Sequence, residues 1–315
     1  MILSKAVFFD FKEVDVPTEY LGRMKKVVSD ITFVSQQDPN LPALLAEAEI
    51  IFATFSTKVD REMLEKAPKL KYIDILATAF DGVDVKTARE KNIPVSNLGG
   101  YSTEAVAEFF FAALFEAARQ LEQAKQQARS EDYSFSKLMG ADLTGKTLGI
   151  LGAGKIGFRT AEIGMGIGMK VIYFDKEDKP ELNKRGAERK TLEEVLSQSD
   201  FVSLNLVLNK ETEGIVSKEK IALIKPGCVF VNLAPPTLLD QEAMIERAGK
   251  REVTFIFDHS DDIEGFLAKR FLATPNCIVY PPIGFRTKEA NTAKWEILTS
   301  NLEKFVQVIP QNVVN

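Results

Sequence analysis

The sequence predicts an α/β protein with two domains, each built on a parallel sheet covered by helices. Its 315 residues exceed the usual size of a single domain. In the first hundred residues, short apolar runs alternate with polar stretches of helical periodicity, which is typical of a parallel sheet with helices on its faces. Near the middle of the chain, a glycine-rich run follows an apolar strand and opens a helix, which indicates a second unit of the same class.

The predicted elements follow the apolar pattern in chain order. In the first hundred residues we expect strands over 6–9, 50–55, 72–76 and 93–96, with helices such as 61–67 and 85–91 between them. A long helix is predicted over 103–127, and because its first half is apolar on most sides, we expect a domain junction or a second subunit to cover it. The remainder predicts strands at 147–151, 170–174, 201–206, 228–232, 254–257 and 277–280, helices near 192–197, 218–224 and 241–247, and a final helix over 288–308.

The run Gly152-Ala153-Gly154-Lys155-Ile156-Gly157 predicts a dinucleotide-binding loop. Gly152 permits a tight turn, Gly154 lets the backbone approach a pyrophosphate, and Gly157 lets the helix pack closely on the strand. The pyrophosphate is expected on the free N–H groups of the helix N-terminus. Asp175 follows the last glycine by 18 residues; it can accept hydrogen bonds from the adenosine ribose and repel a 2′-phosphate, so we expect NAD rather than NADP. The alternative interpretation is a glycine-rich turn in another kind of α/β domain.

Composition excludes several classes of protein. The net charge of −5 and the lack of a long basic run argue against a general nucleic-acid binder. The apolar runs are too short to span a membrane, and the first residues carry no signal-peptide pattern. Cys228 and Cys277 lie in separate apolar stretches and are interpreted as core thiols, which fits a reducing compartment and predicts a cytoplasmic protein. His259 is the single histidine of the chain.

Several further motifs resemble the D-isomer-specific 2-hydroxyacid dehydrogenases, the family of phosphoglycerate and D-lactate dehydrogenases. The resemblance covers nearly the whole chain and rests on residues 79–84, 100–108, 143–150, 199–204, 225–227 and 231–232 together with the glycine loop. It implies a Rossmann dinucleotide-binding domain (101–287) inserted into a discontinuous, flavodoxin-like, parallel-sheet substrate domain (1–100 plus 288–315). It also implies NAD as cofactor, a small-molecule substrate, and a homodimer formed through the helix 103–127.

The resemblance also assigns residues to the two ends of the site. The cofactor is expected to contact the following residues: Gly152, Gly154, Lys155, Ile156, Gly157, Asp175, Val207, Leu233, Ala234 and Asp258. The substrate cleft is expected to be lined by a second set: Phe55, Ala79, Phe80, Pro235 and Pro282. For the first-domain loops that carry Phe55 and Phe80, plain loop packing is the alternative interpretation.

The sequence departs from the family at each of its three catalytic side chains. The family Arg, which binds the substrate carboxylate, follows Asn-x-Ala, and here Pro235 stands in its place. The family His, the general acid and base, follows a proline near the last strand, and here it is replaced by Pro282. The family carboxylate falls on Ile263, although acidic residues surround it. Because proline can neither bind a carboxylate nor relay a proton, we expect ordinary 2-oxo acid reduction to be weak or absent.

Three residues are candidates for replacement chemistry, each with a structural alternative. His259 can act as acid or base, or be a structural or surface histidine. Arg286 can hold an anion, or cap a turn before the last helix, and Tyr280 can donate a proton, or lie in the core. The cluster of Asp258, Asp261, Asp262 and Glu264 resembles a metal site, but a solvated acidic loop is the interpretation we adopt, and no metal is predicted.

Two functions therefore remain open from the sequence. One is an NAD-dependent oxidoreductase of this family with an altered substrate or altered acid and base groups. The other is a non-catalytic NAD(H)-binding protein, a sensor or interaction partner that kept the fold. A polar group beside the reactive end of the nicotinamide would favour the first hypothesis, and a filled or apolar cleft would favour the second.

Overall fold

The structure, a computed structural model, describes residues 2–258 and 265–315. The helices and strands of the first part of the chain are β1 (Leu3–Phe9), α1 (Thr18–Met24), β2 (Val28–Val34), α2 (Leu41–Glu47), β3 (Ile50–Ala53), α3 (Arg61–Glu65), β4 (Tyr72–Ile75), α4 (Val85–Glu90) and β5 (Val95–Ser96). Those of the middle part are α5 (Thr103–Ala118), α6 (Leu121–Arg129), β6 (Thr147–Leu151), α7 (Lys155–Gly166), β7 (Lys170–Phe174), α8 (Pro180–Lys184), β8 (Glu188–Arg189), α9 (Leu192–Gln198), β9 (Phe201–Leu204), α10 (Lys218–Leu223), β10 (Val229–Asn232), α11 (Gln241–Gly249), β11 (Thr254–Phe257), α12 (Gly265–Ala273) and β12 (Cys277–Val279). The last helix is α13 (Lys288–Val306).

The chain forms two compact units, one of which is discontinuous. The first contains the chain up to Ser102 together with Thr287–Asn315, and the second contains Thr103–Arg286. Each unit is built on one parallel sheet. The predicted fold class, an α/β protein with two parallel-sheet units, is therefore confirmed.

The first unit has a five-stranded sheet in the order β2-β1-β3-β4-β5. Its central strands are buried along their whole length because helices cover both faces. The final helix, α13, packs in this unit, where Trp295 is buried in a core cluster with Phe8. Phe305 stacks on Tyr72 of β4 at a ring-centroid distance of 4.3 Å. The last helix of the chain thereby packs in the same core as the first strand.

The second unit has a seven-stranded parallel sheet in the order β12-β11-β10-β9-β6-β7-β8. The strand order reverses at β6, because the chain proceeds from it first to β7 and β8 on one side and then to β9 on the other. Separate apolar cores cover its two faces. In an open parallel sheet, a ligand binds outside the carboxyl ends of the strands at such a reversal, and the glycine loop lies there.

The prediction of one helix over 103–127 is wrong. α5 ends at Ala118, Gln120 adopts the left-handed conformation (φ 52°), and α6 begins at Leu121. The carbonyl of Ala118 accepts a hydrogen bond from the N–H of Ala141 (2.9 Å), so the returning segment ends α5. α6 has no buried residue, because its sequence lacks the apolar stripe that continues along α5.

The sequence pattern also missed short or half-exposed elements: β2, β8, α1, α2, α8 and α12. β2 is an edge strand whose middle residues are exposed or half-buried, so its sequence lacks the continuous apolar run of a central strand. Among the described residues, no helix is both long and apolar enough to cross a membrane.

Candidate cofactor-binding and active site

The three glycines of the loop between β6 and α7 have distinct structural roles. Gly152 has a φ of +92°, which an L side chain rarely adopts. Gly157 has no room for a side chain, since an added Cβ would overlap the carbonyl oxygen of Gly152 and lie 2.9 Å from Ile150 Cγ2. Gly154 is the N-cap of α7, and an added Cβ there would meet no protein atom within 4 Å. The loop is therefore tight against the protein at two glycines and open at the third.

This open position is what a pyrophosphate requires. α7 begins at Lys155, which is exposed, and continues through the half-buried Ile156. The first N–H groups of a helix have no partner within it and carry partial positive charge, so they bind an anion. An open cavity of about 530 Å³ lies in front of the loop and is lined by Gly154, Lys155 and Lys179 among others. The geometry fits the phosphates of a dinucleotide.

Asp175 is joined to the glycine loop directly. It follows β7, and its Oδ2 accepts a hydrogen bond from the N–H of Ala153 (2.8 Å). Its Oδ1 accepts one from the N–H of Glu177 (3.0 Å) and lies 3.4 Å from Lys179 Nζ. A second cavity of about 530 Å³ opens beside Asp175 and is also lined by Arg189 and Ile215. The sequence predicted the Asp175 carboxylate but not the two cations beside it.

Two asparagines at the carboxyl ends of β9 and β10 are further polar groups that the sequence prediction missed. The buried Oδ1 of Asn205 and the buried Nδ2 of Asn232 have no hydrogen-bond partner among the described residues. Asn232 Oδ1 accepts from the N–H of Ala234 (2.9 Å). Asn205 adjoins Gly152, whose added Cβ would lie 3.0 Å from the Asn205 carbonyl oxygen. Buried polar atoms without partners commonly mark a place where a ligand or water binds.

The other predicted cofactor contacts differ in exposure. Leu233 and Ala234, directly after β10, are buried. Val207, beyond the end of β9, is 74% exposed. Exposure of such a large apolar side chain near the strand ends is compatible with contact to a bound base.

Pro235, Asp258 and Pro282 lie along one edge of the second sheet. Pro235 follows β10, Asp258 follows β11, and Pro282 follows β12. Because β10, β11 and β12 are adjacent and parallel, their carboxyl ends meet at the same edge. Both prolines are half-buried, whereas Asp258 is buried. The three residues thus occupy neighbouring strand ends.

The Asp258 carboxylate anchors the loop that follows β12. Its Oδ2 accepts a hydrogen bond from the N–H of Gly284 (3.0 Å). A side chain at residue 284 would overlap that carboxylate and come within 3.3 Å of Phe109 Cδ1. The N–H of Arg286 donates to the carbonyl of Ile283 (2.9 Å) and closes a turn. Asp258 holds this turn through Gly284, and Arg286 is exposed on it.

Tyr280 is occupied by a structural contact. Its hydroxyl donates a hydrogen bond to Glu116 Oε2 of α5 at 2.6 Å, and its ring meets that of Phe109 edge to face at 5.5 Å. Burial raises the pKa of Tyr280, and the neighbouring Glu116 raises it further. A phenol with a raised pKa that already donates to a carboxylate is a poor acid for a substrate oxygen.

In the first unit, the loops after β3 and β4 hold each other in place. The N–H of Val59 donates to the carbonyl of Gly82 (2.8 Å), and an added Cβ at Gly82 would lie 2.5 Å from the Thr57 oxygen. Phe55, Ala79 and Phe80 are exposed on these loops, Phe55 by 74%. Aromatic side chains at the carboxyl ends of parallel strands are available to a ligand.

Part of the sequence prediction lies outside the described residues. This applies to His259, Asp261, Asp262, Ile263 and Glu264. Among the residues that the structure describes, there is no group of three or more His, Cys, Asp or Glu side chains that could hold a metal ion.

Comparison with known proteins gives a consistent family. Residues 111–284 match the model of the D-isomer-specific 2-hydroxyacid dehydrogenase NAD-binding domain. A hydroxypyruvate reductase of Blautia hydrogenotrophica is 34% identical over 280 residues, covering 86% of each chain. A glyoxylate reductase of Aeropyrum pernix is 32% identical over 314 residues, covering 96% of this chain and 94% of the relative.

Two solved structures share the fold over nearly the whole chain. The D-lactate dehydrogenase of Aquifex aeolicus, complexed with NAD and lactic acid, superposes with a TM-score of 0.85 at 26% identity, covering 96% of each chain. An acyclic imino acid reductase in complex with NADPH and D-Arg superposes with a TM-score of 0.87 at 25% identity, covering 98% of this chain and 100% of that one. The glycine loop, the strand order and these matches agree: the chain carries an NAD-binding domain and belongs to the D-isomer-specific 2-hydroxyacid dehydrogenase family.

Proposed function

We propose that the chain is an NAD-dependent oxidoreductase of this family with an altered catalytic centre, in which ordinary 2-oxo acid reduction is weak or absent. The observation that carries the proposal is the pair of prolines, Pro235 and Pro282, at the strand ends on either side of Asp258. In the family that the chain resembles, the position of Pro235 holds the Arg that binds the substrate carboxylate. The position of Pro282 holds the His that donates a proton. The cofactor, when bound, supplies or accepts the hydride.

The missing side chains determine the expected rate. Hydride addition to a carbonyl carbon places negative charge on the oxygen, and loss of the general acid that protonates it typically costs 10²–10⁴-fold. Neither proline has a group that can donate to that oxygen. Tyr280 donates to Glu116 instead. Arg286, exposed on its turn, is the cation of this loop that can hold a substrate carboxylate.

The identities of the relatives suggest which substrates to try. The curated relatives are named hydroxypyruvate and glyoxylate reductases, so small 2-oxo acids come first. One structural neighbour is an acyclic imino acid reductase. A protonated imine accepts hydride at carbon and becomes an amine without taking a proton from the protein, so imino acids belong in the same panel.

The experiment is NADH consumption over that panel, with calorimetric NADH binding as the control. Turnover of any member supports the enzyme, and alanine variants of Arg286 and Tyr280 then show whether either takes part. Strong NADH binding with no turnover supports the alternative, an NAD(H)-binding sensor or interaction protein. Rapid reduction of glyoxylate contradicts an altered catalytic centre.

We also propose that two copies of the chain pair through α5 and α6 in the cytoplasm. The segment that follows α6 exposes Tyr133, Phe135 and Met139, each by 79–85%, and such apolar surface is usually covered by a partner. The two buried free thiols, Cys228 and Cys277, suit a reducing compartment. Light scattering should give the mass of a dimer for the wild type and of a monomer for Phe135→Glu; a monomeric wild type contradicts the pairing.

A further inference from the structure

The carboxylate expected to select NAD is not an isolated negative charge. Lys179 Nζ lies 3.4 Å from Asp175 Oδ1, in an i,i+4 pair, and 3.7 Å from Glu177 Oε2. Only 13% of the Asp175 side chain and 23% of the Lys179 side chain are exposed. Ion pairs are screened less when partly buried than at the open surface, so Lys179 offsets much of the charge that Asp175 presents.

The position of Lys179 is fixed by the backbone. Its N–H donates to the hydroxyl oxygen of Tyr173 (2.9 Å), and Tyr173 donates in turn to Asp178 Oδ1 (2.9 Å). Tyr173 is fully buried on β7, and Lys179 is the N-cap of α8. The lysine is therefore held at the cofactor loop by the core, although its ammonium group can rotate.

Lys179 also faces the space in front of the glycine loop. It lines the cavity of about 530 Å³ that contains Gly154 and Lys155. A second cation lies near this loop, because Arg189 donates to the backbone carbonyls of Asp175 (2.9 Å) and Lys176 (2.8 Å) and lines the second cavity together with Asp175. Of the two cations, Lys179 is the one whose ion pair is with the Asp175 carboxylate.

We propose that Lys179 is a specificity-determining residue that lets this site accept NADPH as well as NADH. The inference rests on the cofactor site of the proposed function. With NADH, Asp175 accepts hydrogen bonds from the ribose hydroxyls while Lys179 stays paired to it. With NADPH, the ammonium group donates to the 2′-phosphate and reduces the repulsion between that phosphate and the Asp175 carboxylate. A basic side chain near an NAD-type carboxylate is the feature that accommodates a 2′-phosphate.

The test compares dissociation constants for NADH and NADPH, measured by calorimetry, in the wild type and in Lys179→Met. We expect the wild type to bind NADPH within about tenfold of NADH. A charge-assisted hydrogen bond contributes enough that its loss should weaken NADPH binding about tenfold or more, while NADH binding changes less than about threefold because it does not need the ammonium group. AMP and adenosine 2′,5′-bisphosphate, used as fragments, should show the same selective loss.

Lys250→Met is the matched control. Lys250 forms an i,i+4 pair with Glu246 (2.7 Å) on α11, outside both cavities, and its replacement should change neither constant. Thermal unfolding shows whether each variant is folded. The inference is overturned if the wild type binds NADH and its dissociation constant for NADPH is more than about a hundredfold higher. It is also overturned if Lys179→Met weakens the binding of both nucleotides equally. Failure of the wild type to bind either nucleotide overturns the proposed function as well.

Discussion

Gly154 is the N-cap of α7 and has open space around it. A methyl group added there should weaken NADH binding while leaving the free energy of unfolding nearly unchanged. In Gly154→Ala the new Cβ meets no protein atom within 4 Å, and the backbone φ of −72° is one that alanine adopts freely. Alanine is a poorer N-cap than glycine, so we expect the free energy of unfolding to fall by at most about 1 kcal/mol.

NADH binding should respond differently. The methyl group fills the space through which the backbone approaches the pyrophosphate, and overpacking of a well-fitted contact costs about 1–3 kcal/mol. That range corresponds to a dissociation constant raised about 5- to 150-fold. Calorimetric titration with NADH and urea unfolding of the same preparation measure both quantities.

Two other glycines supply the controls. In Gly157→Ala, the methyl group overlaps the Gly152 carbonyl and lies 2.9 Å from Ile150 Cγ2, so the protein itself should lose about 1–3 kcal/mol of stability. In Gly166→Ala, at the far end of α7, nothing lies within 4 Å, and both NADH affinity and fold should be kept. If Gly154→Ala binds NADH as tightly as the wild type, the assignment of the open space to the cofactor is refuted.

Three other features can be tested by substitution: the buried Asp74, the carbonyl-binding Arg247, and the two prolines. Asp74 is fully buried on β4, and this burial raises its pKa well above the usual value. The folded state therefore holds a proton that the unfolded state releases. Because of this difference, the free energy of unfolding should fall as the pH rises above about 4. Asp74→Asn should abolish that dependence in urea unfolding between pH 4 and 8, and an unchanged slope contradicts the assignment. Arg247 donates from one nitrogen to the carbonyls of Ile221 and Ile224 (2.7 Å each); Arg247→Met should cost about 1–3 kcal/mol of unfolding free energy, and a loss below about 0.5 kcal/mol refutes this role. The double variant Pro235→Arg, Pro282→His should raise kcat/KM for glyoxylate about a hundredfold or more, as measured by NADH absorbance. If kcat/KM does not rise, the roles assigned to these two positions are contradicted.

The cofactor loop was predictable because its determinants are local. A tight turn, a close approach and a helix N-terminus each require a glycine at a fixed spacing, and the structure gives Gly152 a positive φ, Gly154 open space and Gly157 a close contact. Gly164 in α7 also has a packing reason, since an added Cβ would lie 2.6 Å from Leu148 Cδ2. Gly168, with a φ of +86°, follows the C-cap of that helix, Ile167.

What the sequence did not reveal depends on contacts between distant segments. The helix break at Gln120 contains no Gly or Pro that would predict it from the sequence. It depends on the hydrogen bond from the N–H of Ala141 to the carbonyl of Ala118 at the end of α5. The strand β2 lacks an apolar run because it lies at a sheet edge. Lys179 and Arg189 were missed for the same reason, since neither carries a motif and only the folded loop brings both to Asp175.

The kcat of the wild type with glyoxylate, measured with NADH occupancy verified by calorimetry, decides whether the catalytic centre is altered. A typical enzyme turns over at about 10 s⁻¹, and loss of the general acid removes a factor of about 10²–10⁴. With Pro235 and Pro282 in place, we expect saturable NADH binding and a kcat below about 0.1 s⁻¹. A kcat above about 1 s⁻¹ with NADH bound would contradict it.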